Sequence, residues 1–209
     1  SYFMFQKPKT AKRLYFDIIP KMVDDYHQNL NKFLDQENNE KINNPVWHVH
    51  SGNPPMSNMI INFSMLLNLV SASGSEDELT LWTFIRRYKP DIVADEHPDL
   101  KKAVQYAINY YQDFVKPFKK FRDATIKERD ALIDLHSRLY NLKSNCEIQE
   151  IQTMIFSVGK EHNFDNLRDW FSAFYEIILG TKTGPRLGGF ISIYGIEETR
   201  KLISHKLSL

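Results

Sequence analysis

The chain has 209 residues, of which 42% are hydrophobic and 25% are charged, so it can bury an apolar core in one or two globular domains. Its formal net charge of +1 excludes global basicity as a sign of nucleic-acid binding, so any such binding must depend on local patches. The single cysteine, Cys146, excludes an internal disulfide and a multi-cysteine zinc site, and it fits a reducing cytoplasm. No apolar run reaches the roughly 18 residues that cross a bilayer, so we expect no membrane span.

The first part of the chain contains a basic, aromatic segment followed by a proline-rich connector. Residues 1–17 mix lysine and arginine with tyrosine and phenylalanine, which indicates either contact with a polyanion or an ordinary surface helix with buried rings. Residues 44–55 are rich in turn formers, and we expect an extended segment anchored by Trp47. His48 and His50 could serve a metal, but no carboxylate or thiol lies near them in sequence, and we predict no metal site.

Apolar residues recur at helical spacing through the rest of the chain and predict about nine helices. A helical stripe is expected over 22–33, and a central helix over 59–70, where nearly every face is apolar. Capping boxes at 75–78, 125–128 and 144–147 predict three further helix starts, and Gly159 is expected to end the helix after the third box. No stretch alternates apolar and polar residues as a strand does. The predicted fold class is therefore all-α, a helical bundle.

Two segments in the middle of the chain combine cations with aromatic side chains. Arg86, Arg87 and Lys89 close the helix that contains Trp82, where they could bind RNA or equally complement the helix dipole. Residues 114–122 interleave phenylalanine with lysine and arginine, as single-stranded nucleic-acid sites do. The alternative for this second segment, which we favour slightly, is a tight interdomain turn with buried phenylalanines.

The stretch from Trp170 to Ile203 contains two amphipathic helical patterns joined by a basic loop with glycine and proline. Gly180 is expected to end the first helix in a left-handed conformation, and Pro185 to begin the second. The loop between them carries Lys182 and Arg186, and it is expected to point N–H groups at a ligand above the second helix. A backbone phosphate or a nucleotide base is the expected ligand.

The sequence contains no signature of a self-sufficient active site. No glycine-rich phosphate loop follows a strand, and no Ser/His/Asp or Cys/His nucleophile pattern is present. We therefore predict no catalytic residue and no cofactor of this chain's own.

Seven blocks, in order and over nearly the whole chain, resemble the C-terminal part of class I lysyl-tRNA synthetases. They are FMFQKPKTAKRLYFDIIP, NPVWHVHSGNPP, LLNLVSASGSED, LWTFIRRYKP, YAINYYQDFVKPFKKFR, EIQTMIFSVGK and WFSAFYEIILGTKTGPRLGGFISIYGIEETRKLI. The resemblance implies an α-helical cage of two packed subdomains that binds the tRNA anticodon, as in glutamyl-type class I synthetases. It also implies an enzyme that joins lysine to tRNA(Lys) with ATP and Mg²⁺.

The family's HIGH-like and KMSKS-like motifs do not occur in this chain, which also has no initiator methionine. The resemblance therefore implies an inactive fragment that works with its own N-terminal catalytic domain. It assigns residues 1–57 to a connector after that domain, 58–122 to a first helical subdomain and 123–209 to a second one that carries the anticodon-reading loop.

The resemblance and the local chemistry together select the expected RNA-binding residues. The loop and the following helix start match the segment that approaches an anticodon base in glutamyl-type relatives, although Arg186 stands where those sequences usually have proline. Arg87 and Trp82 are added from position and chemistry alone. The alternative function is a stand-alone helical module that docks another protein, which the near-neutral charge and the aromatic content favour. The predicted RNA-binding residues are Lys182, Thr183, Gly184, Pro185, Arg186, Leu187, Arg87 and Trp82.

Overall fold

The computed structural model describes residues 15–56, 59–143 and 146–209, and within these ranges the chain is an all-α bundle without strands, which confirms the predicted fold class. Of the basic segment 1–17, only the last three residues lie in the described part. Two short helices, over 38–41 and 45–49, were not predicted, so the described residues contain eleven helices rather than about nine. They are α1 (Ile19–Asp35), α2 (Asn38–Lys41), α3 (Pro45–Val49), α4 (Phe63–Ser73), α5 (Glu78–Tyr88), α6 (Pro98–Tyr110), α7 (Ile126–Asn141), α8 (Ile148–Glu161), α9 (Leu167–Phe174), α10 (Leu187–Tyr194) and α11 (Ile196–Leu207).

The N-terminal helix α1 is fastened to α4 by a carboxylate. Asp24 on α1 accepts hydrogen bonds from the backbone N–H groups of Phe63 (2.7 Å) and Ser64 (3.2 Å), which are otherwise unpaired at the start of α4. The expectation of an extended segment over 44–55 is wrong, because α3 forms there. Asn44 caps α3 by accepting from the backbone of Val46, and a proline at the first helical position is already set for the turn.

A continuous apolar core extends through both of the predicted subdomains. Its largest fully buried side chains are Trp170, Phe174 and Phe190, and helix α4 is buried on nearly every face. The core is shared by helices on both sides of residue 122. The boundary between a first and a second subdomain therefore stays a prediction, as does the connector role of residues 1–57.

The three predicted capping boxes have different outcomes. The box at 125–128 is confirmed, since Thr125 and Glu128 exchange both expected hydrogen bonds. The box at 75–78 is wrong: α5 begins at Glu78, because the carboxylate of Asp77 accepts from the N–H of Thr80 and takes the cap. The first two residues of the third box lie outside the described residues, and α8 begins just after Glu147 without a side-chain cap.

Gly159 does not end α8, which continues to Glu161. The glycine is explained by packing instead, because a Cβ at this position would lie 2.7 Å from Cδ1 of Trp170. Trp170 in turn donates from its indole nitrogen to the carbonyl of Ile155, at 3.1 Å. Gly159 therefore allows α9 to approach α8 closely.

The loop between α9 and α10 begins where it was predicted to begin, but it ends two residues later than predicted. After α9 a π-helical turn, Tyr175–Leu179, leads to Gly180 at φ +68°, which confirms the left-handed stop. Helix α10 begins at Leu187 with Arg186 as its N-cap, so the expectation that Pro185 begins the helix is wrong. The carbonyl of Pro185 instead accepts a hydrogen bond from the hydroxyl of Tyr175, which holds this residue in the loop.

Two adjacent glycines at the start of α10 provide a test of how tightly α10 packs on α8. A Cβ at Gly188 would lie 2.8 Å from the backbone oxygen of Ile148, whereas a Cβ at Gly189 would meet only Cε of Met65, at 3.7 Å. We expect Gly188→Ala to lower the free energy of unfolding by about 1–3 kcal/mol through overpacking. Gly189→Ala should leave it unchanged or raise it by up to about 1 kcal/mol, through helix propensity. Urea unfolding of both variants measures this, and equal effects would contradict the packing argument.

Candidate nucleic-acid interface

Residues 180–187, hereafter the Gly/Pro loop, are anchored from beneath by Tyr175 and reach the surface at residues 182–184 and 186. The N–H of Thr181 donates to the backbone oxygen of Tyr175 at 3.2 Å, and the Tyr175 hydroxyl donates to the carbonyl of Pro185. The ring lies so close under Gly184 that a Cβ there would be 2.1 Å from Cε1 of Tyr175. Burial raises the pKa of Tyr175, so the hydroxyl stays a neutral donor. One buried side chain therefore determines the path of the loop.

The predicted loop residues fall into exposed and buried sets. Leu187 is 1% exposed and belongs to the core, while Pro185 is half-buried. The N–H of Gly188, in the first turn of α10, donates to Oε1 of Gln152 at 2.9 Å. That group is not available to a ligand, contrary to the expectation for the helix start. The exposed members of the predicted set are Lys182, Thr183, Gly184 and Arg186.

Arg186 points along α8, towards an open cleft. Its Nη2 donates to Oε1 of Gln149 at 3.3 Å, and Gln149 also lines the cleft. The cleft has a volume of about 870 Å³ and lies between the ends of α5 and α7 and the starts of α8 and α11. Two exposed tyrosines, Tyr88 and Tyr140, line it. The Gly/Pro loop therefore lies at the rim of a concave surface that presents aromatic rings.

The charges around this cleft nearly balance. Arg87 and Arg200 line it together with three glutamates, at positions 147, 197 and 198. Arg200 forms an ion pair with Glu197 at 2.7 Å and lies over the ring of Tyr140, 4.7 Å from the ring centroid. A near-neutral surface with rings suits the edges and faces of bases better than it suits phosphates.

Arg87 and Trp82 do not join the exposed loop residues. Nη1 of Arg87 donates to the carbonyl of Tyr194 at the far end of α10, and its guanidinium lies 5.6 Å from the centroid of Phe84. Gly195 makes room for it, since a Cβ there would be 2.1 Å from Nη1. Arg87 thus lines the cleft but is held by structural contacts. Trp82 is only 4% exposed, so its ring supports α5 from within and is not presented to a ligand.

The basic-aromatic segment 114–122 lies directly beside the Gly/Pro loop. The slightly favoured interpretation, a turn with buried phenylalanines, is wrong, because Phe114, Phe118 and Phe121 are 40%, 72% and 46% exposed. The segment leaves α6 through a π-helical turn and then pairs with the loop, with the N–H of Lys120 donating to the carbonyl of Gly180 at 3.1 Å. Periodicity along one segment could not reveal this contact between distant parts of the chain.

The two histidines considered as metal ligands are occupied by protein partners. The Nε2 of His50 lies 2.9 Å from the hydroxyl of Tyr26, and that of His48 lies 2.7 Å from the carbonyl of Ile42. Within residues 15–56, 59–143 and 146–209, no group of three or more potential ligands could hold a metal ion. In the same ranges, no helix is both long enough and apolar enough to cross a membrane.

Comparison with known proteins agrees with the sequence blocks. A family model described as "tRNA synthetases class I (K)" matches residues 1–53. A lysine–tRNA ligase of Roseobacter denitrificans is 50% identical over 208 residues, covering 100% of this chain and 39% of the relative. Lysine–tRNA ligases of Rickettsia bellii and Rickettsia akari are 42% and 39% identical, covering 98% and 99% of this chain and 40% of each relative. The predicted resemblance to class I lysyl-tRNA synthetases is confirmed, and the chain spans about two fifths of the length of these relatives.

The Tyr175 anchor can be tested by removing only its hydroxyl. Tyr175→Phe keeps the ring beneath Gly184 but leaves the carbonyl of Pro185 without its donor. We expect the free energy of unfolding to fall by about 1 kcal/mol, the usual loss for one such hydrogen bond. Urea denaturation measures it, with Tyr140→Phe, at a tyrosine that is 70% exposed, as the matched control. If both variants unfold like the wild type, Tyr175 does not hold the loop.

Lys119 makes stability depend on pH in a defined direction. Its ammonium donates to the carbonyl of Ser71 at 2.6 Å, and burial together with the nearby Lys206 lowers its pKa to about 8. Between about pH 8 and the ordinary value of 10.5, the unfolded chain binds a proton at Lys119 that the folded chain has lost. The free energy of unfolding should therefore rise with pH in this window, relative to that of Lys119→Met.

Chemical denaturation at pH 7 and at pH 9.5 measures the difference. Lys101→Met is the control, because the hydrogen bond to Asp95 raises the pKa of Lys101, which predicts no such rise in the window. A wild-type advantage over Lys119→Met that shrinks with increasing pH would contradict the assignment.

Proposed function

We propose that this chain is the C-terminal, anticodon-reading part of a class I lysine–tRNA ligase. The observation that carries the proposal is the exposed Gly/Pro loop, fixed by Tyr175 at the rim of a cleft lined by tyrosines. The similarity to lysine–tRNA ligases over the whole chain supports the same conclusion. The ligand is then tRNA(Lys), whose anticodon is rich in uridine.

The geometry suits the recognition of unpaired bases. The exposed backbone of residues 182–184 can hydrogen-bond the Watson–Crick edge of a small base, because the loop is held in one conformation from below. Arg186 lies between the loop and the cleft, where it can contact a neighbouring nucleotide. The exposed ring of Tyr88 offers a face on which a splayed base can stack.

The complete ligase would join lysine to tRNA(Lys) with ATP and Mg²⁺ in the cytoplasm. We assign that chemistry to an N-terminal catalytic domain, the second partner of this chain, which would correspond to the part of the relatives that this chain does not match. We assign no step of the ligation reaction to a residue of this chain. Its contribution is to bind the tRNA so that the correct one is presented to the catalytic domain.

One observation favours the alternative, a helical module that docks another protein. An apolar groove of about 630 Å³ lies between α1 and α6 and is lined by residues such as Met22 and Tyr106. Grooves of this kind accept amphipathic helices. Under this alternative, the chain would bind tRNA no better than it binds any other polyanion.

The anticodon proposal is tested with the 209-residue chain and transcripts of tRNA(Lys). We expect weak, salt-dependent binding, and roughly tenfold weaker binding when the anticodon uridines are replaced by cytidines, the effect of losing one or two hydrogen bonds. Arg186→Ala should weaken binding of the native transcript without lowering the melting temperature, because its side chain is exposed.

Arg168→Ala is the matched control, since this exposed arginine lies at the start of α9, the end opposite to the loop. Fluorescence anisotropy at low salt measures the affinity of the wild type for both transcripts and of both variants for the native transcript. Equal affinity for both transcripts would count against base reading, and Arg186→Ala with wild-type affinity would remove this residue from the interface.

A further inference from the structure

Four residues near the Gly180 end of the Gly/Pro loop form a cationic and aromatic group, hereafter the Phe121 cluster: Lys119, Phe121, Arg129 and Lys206. Two ammonium groups lie over the ring of Phe121, with Nζ of Lys206 3.3 Å and Nζ of Lys119 5.1 Å from its centroid. The segment 114–122 and helix α11 thus converge on one aromatic side chain, from distant parts of the sequence. Such contacts stabilise each cation only modestly when water is near.

A shallow cleft of about 350 Å³ opens beside this cluster, lined by Phe121, Arg129 and Lys206. Two carboxylates near it are already engaged. Arg122 binds Glu128 through two hydrogen bonds of 2.8 Å, and it also pairs with Glu176. These acids therefore neutralise Arg122 rather than the lysines.

The remaining cations have little to balance them. In the described part of the chain, neither Lys206, Arg129 nor Lys120 forms an ion pair, and the carboxylate of Asp123 is the acid left on the cleft lining. Burial lowers the pKa of Lys206, and burial with the charge of Lys206 lowers that of Lys119 to about 8. An anion placed in the cleft would relieve both effects.

The cluster and the Gly/Pro loop meet at Gly180. The N–H of Lys120 donates to the carbonyl of Gly180, and a Cβ on this glycine would lie 2.8 Å from Cγ of Lys119 and 3.1 Å from Cε1 of Phe121. The loop and the cluster are therefore neighbours in space, so that one strand can contact the exposed loop residues and the cluster. The tyrosine-lined cleft lies near the other end of the loop, where Arg186 meets Gln149.

We propose that the Phe121 cluster binds a backbone phosphate of the RNA strand whose bases the Gly/Pro loop reads, with Lys206 and Arg129 as the cationic contacts. The inference rests on the proposed function. A phosphate fits better than a base at this place, because the ammonium of Lys206 covers a face of the Phe121 ring. The cluster would then position the strand, while the loop and the tyrosine-lined cleft discriminate its sequence.

The test is the salt dependence of binding to the full-length tRNA(Lys) transcript. Loss of one phosphate contact makes the slope of log K against log salt less steep by about 0.7–0.9. At 0.1 M salt this corresponds to roughly fivefold weaker binding. We expect this change for Lys206→Gln, and the same factor for native and cytidine-substituted anticodons. Lys21→Gln on α1 removes the same charge from an exposed ion pair with Asp25 and should leave the slope unchanged.

Arg129→Gln repeats the test at an exposed side chain of α7, in case the loss of Lys206 perturbs folding. If the wild type discriminates between anticodons while both cluster variants keep its salt slope, the phosphate site is overturned and the proposed function stands. If the cluster variants lower the slope but the wild type does not discriminate, the phosphate site stands and anticodon reading fails. Absence of any binding to the transcript overturns both.

Discussion

The hydroxyl of Tyr175, buried beneath the surface and bonded to the carbonyl of Pro185, is the contact on which the candidate interface depends. A loop with three exposed polar residues and a glycine has little of its own to fix its backbone, and ordering it on binding would reduce affinity. The buried ring removes that freedom in advance, and Gly184 lets the backbone lie directly on it. The π-helical turn that precedes the loop begins at Tyr175 and places it in this position. The candidate interface therefore depends on an irregularity in the helix.

The helices were predictable because each carries its own apolar face. The core residues Trp170, Phe174 and Phe190 recur at helical spacing, and the stop at Gly180 needs only one residue in a left-handed conformation. Helix ends were less predictable because capping groups compete. Asp77 displaces Ser75 as the cap of α5 by lying two residues closer to the helix start, and nothing in the local pattern ranks the two. Gly159 resembles a stop but serves a contact with a helix that follows later in the chain.

Much of the candidate interface follows from residue types, while its arrangement does not. Glycine and proline between two apolar patterns indicated an exposed loop, and Lys182 and Arg186 are exposed there. From the sequence alone, burial of the Trp82 ring could not be distinguished from a stacking role, since either suits a tryptophan near a cationic helix end. Lys206 and Phe121 are far apart in sequence. They are brought together only because α11 packs against the segment 114–122.

The near-neutral charge of the chain is consistent with separate sites for phosphates and for bases on one surface. Phosphate contacts add affinity for any RNA and weaken with salt, whereas contacts with base edges discriminate and depend on salt much less. A strongly basic domain would bind many RNAs before it could compare their bases. Arg122 is paired with Glu128 and Glu176, whereas Lys206 and Arg129, close to Gly180, form no ion pair in the described part of the chain. Under the proposed function, a few placed charges would align the strand, and the loop and the tyrosine-lined cleft would decide which strand is retained.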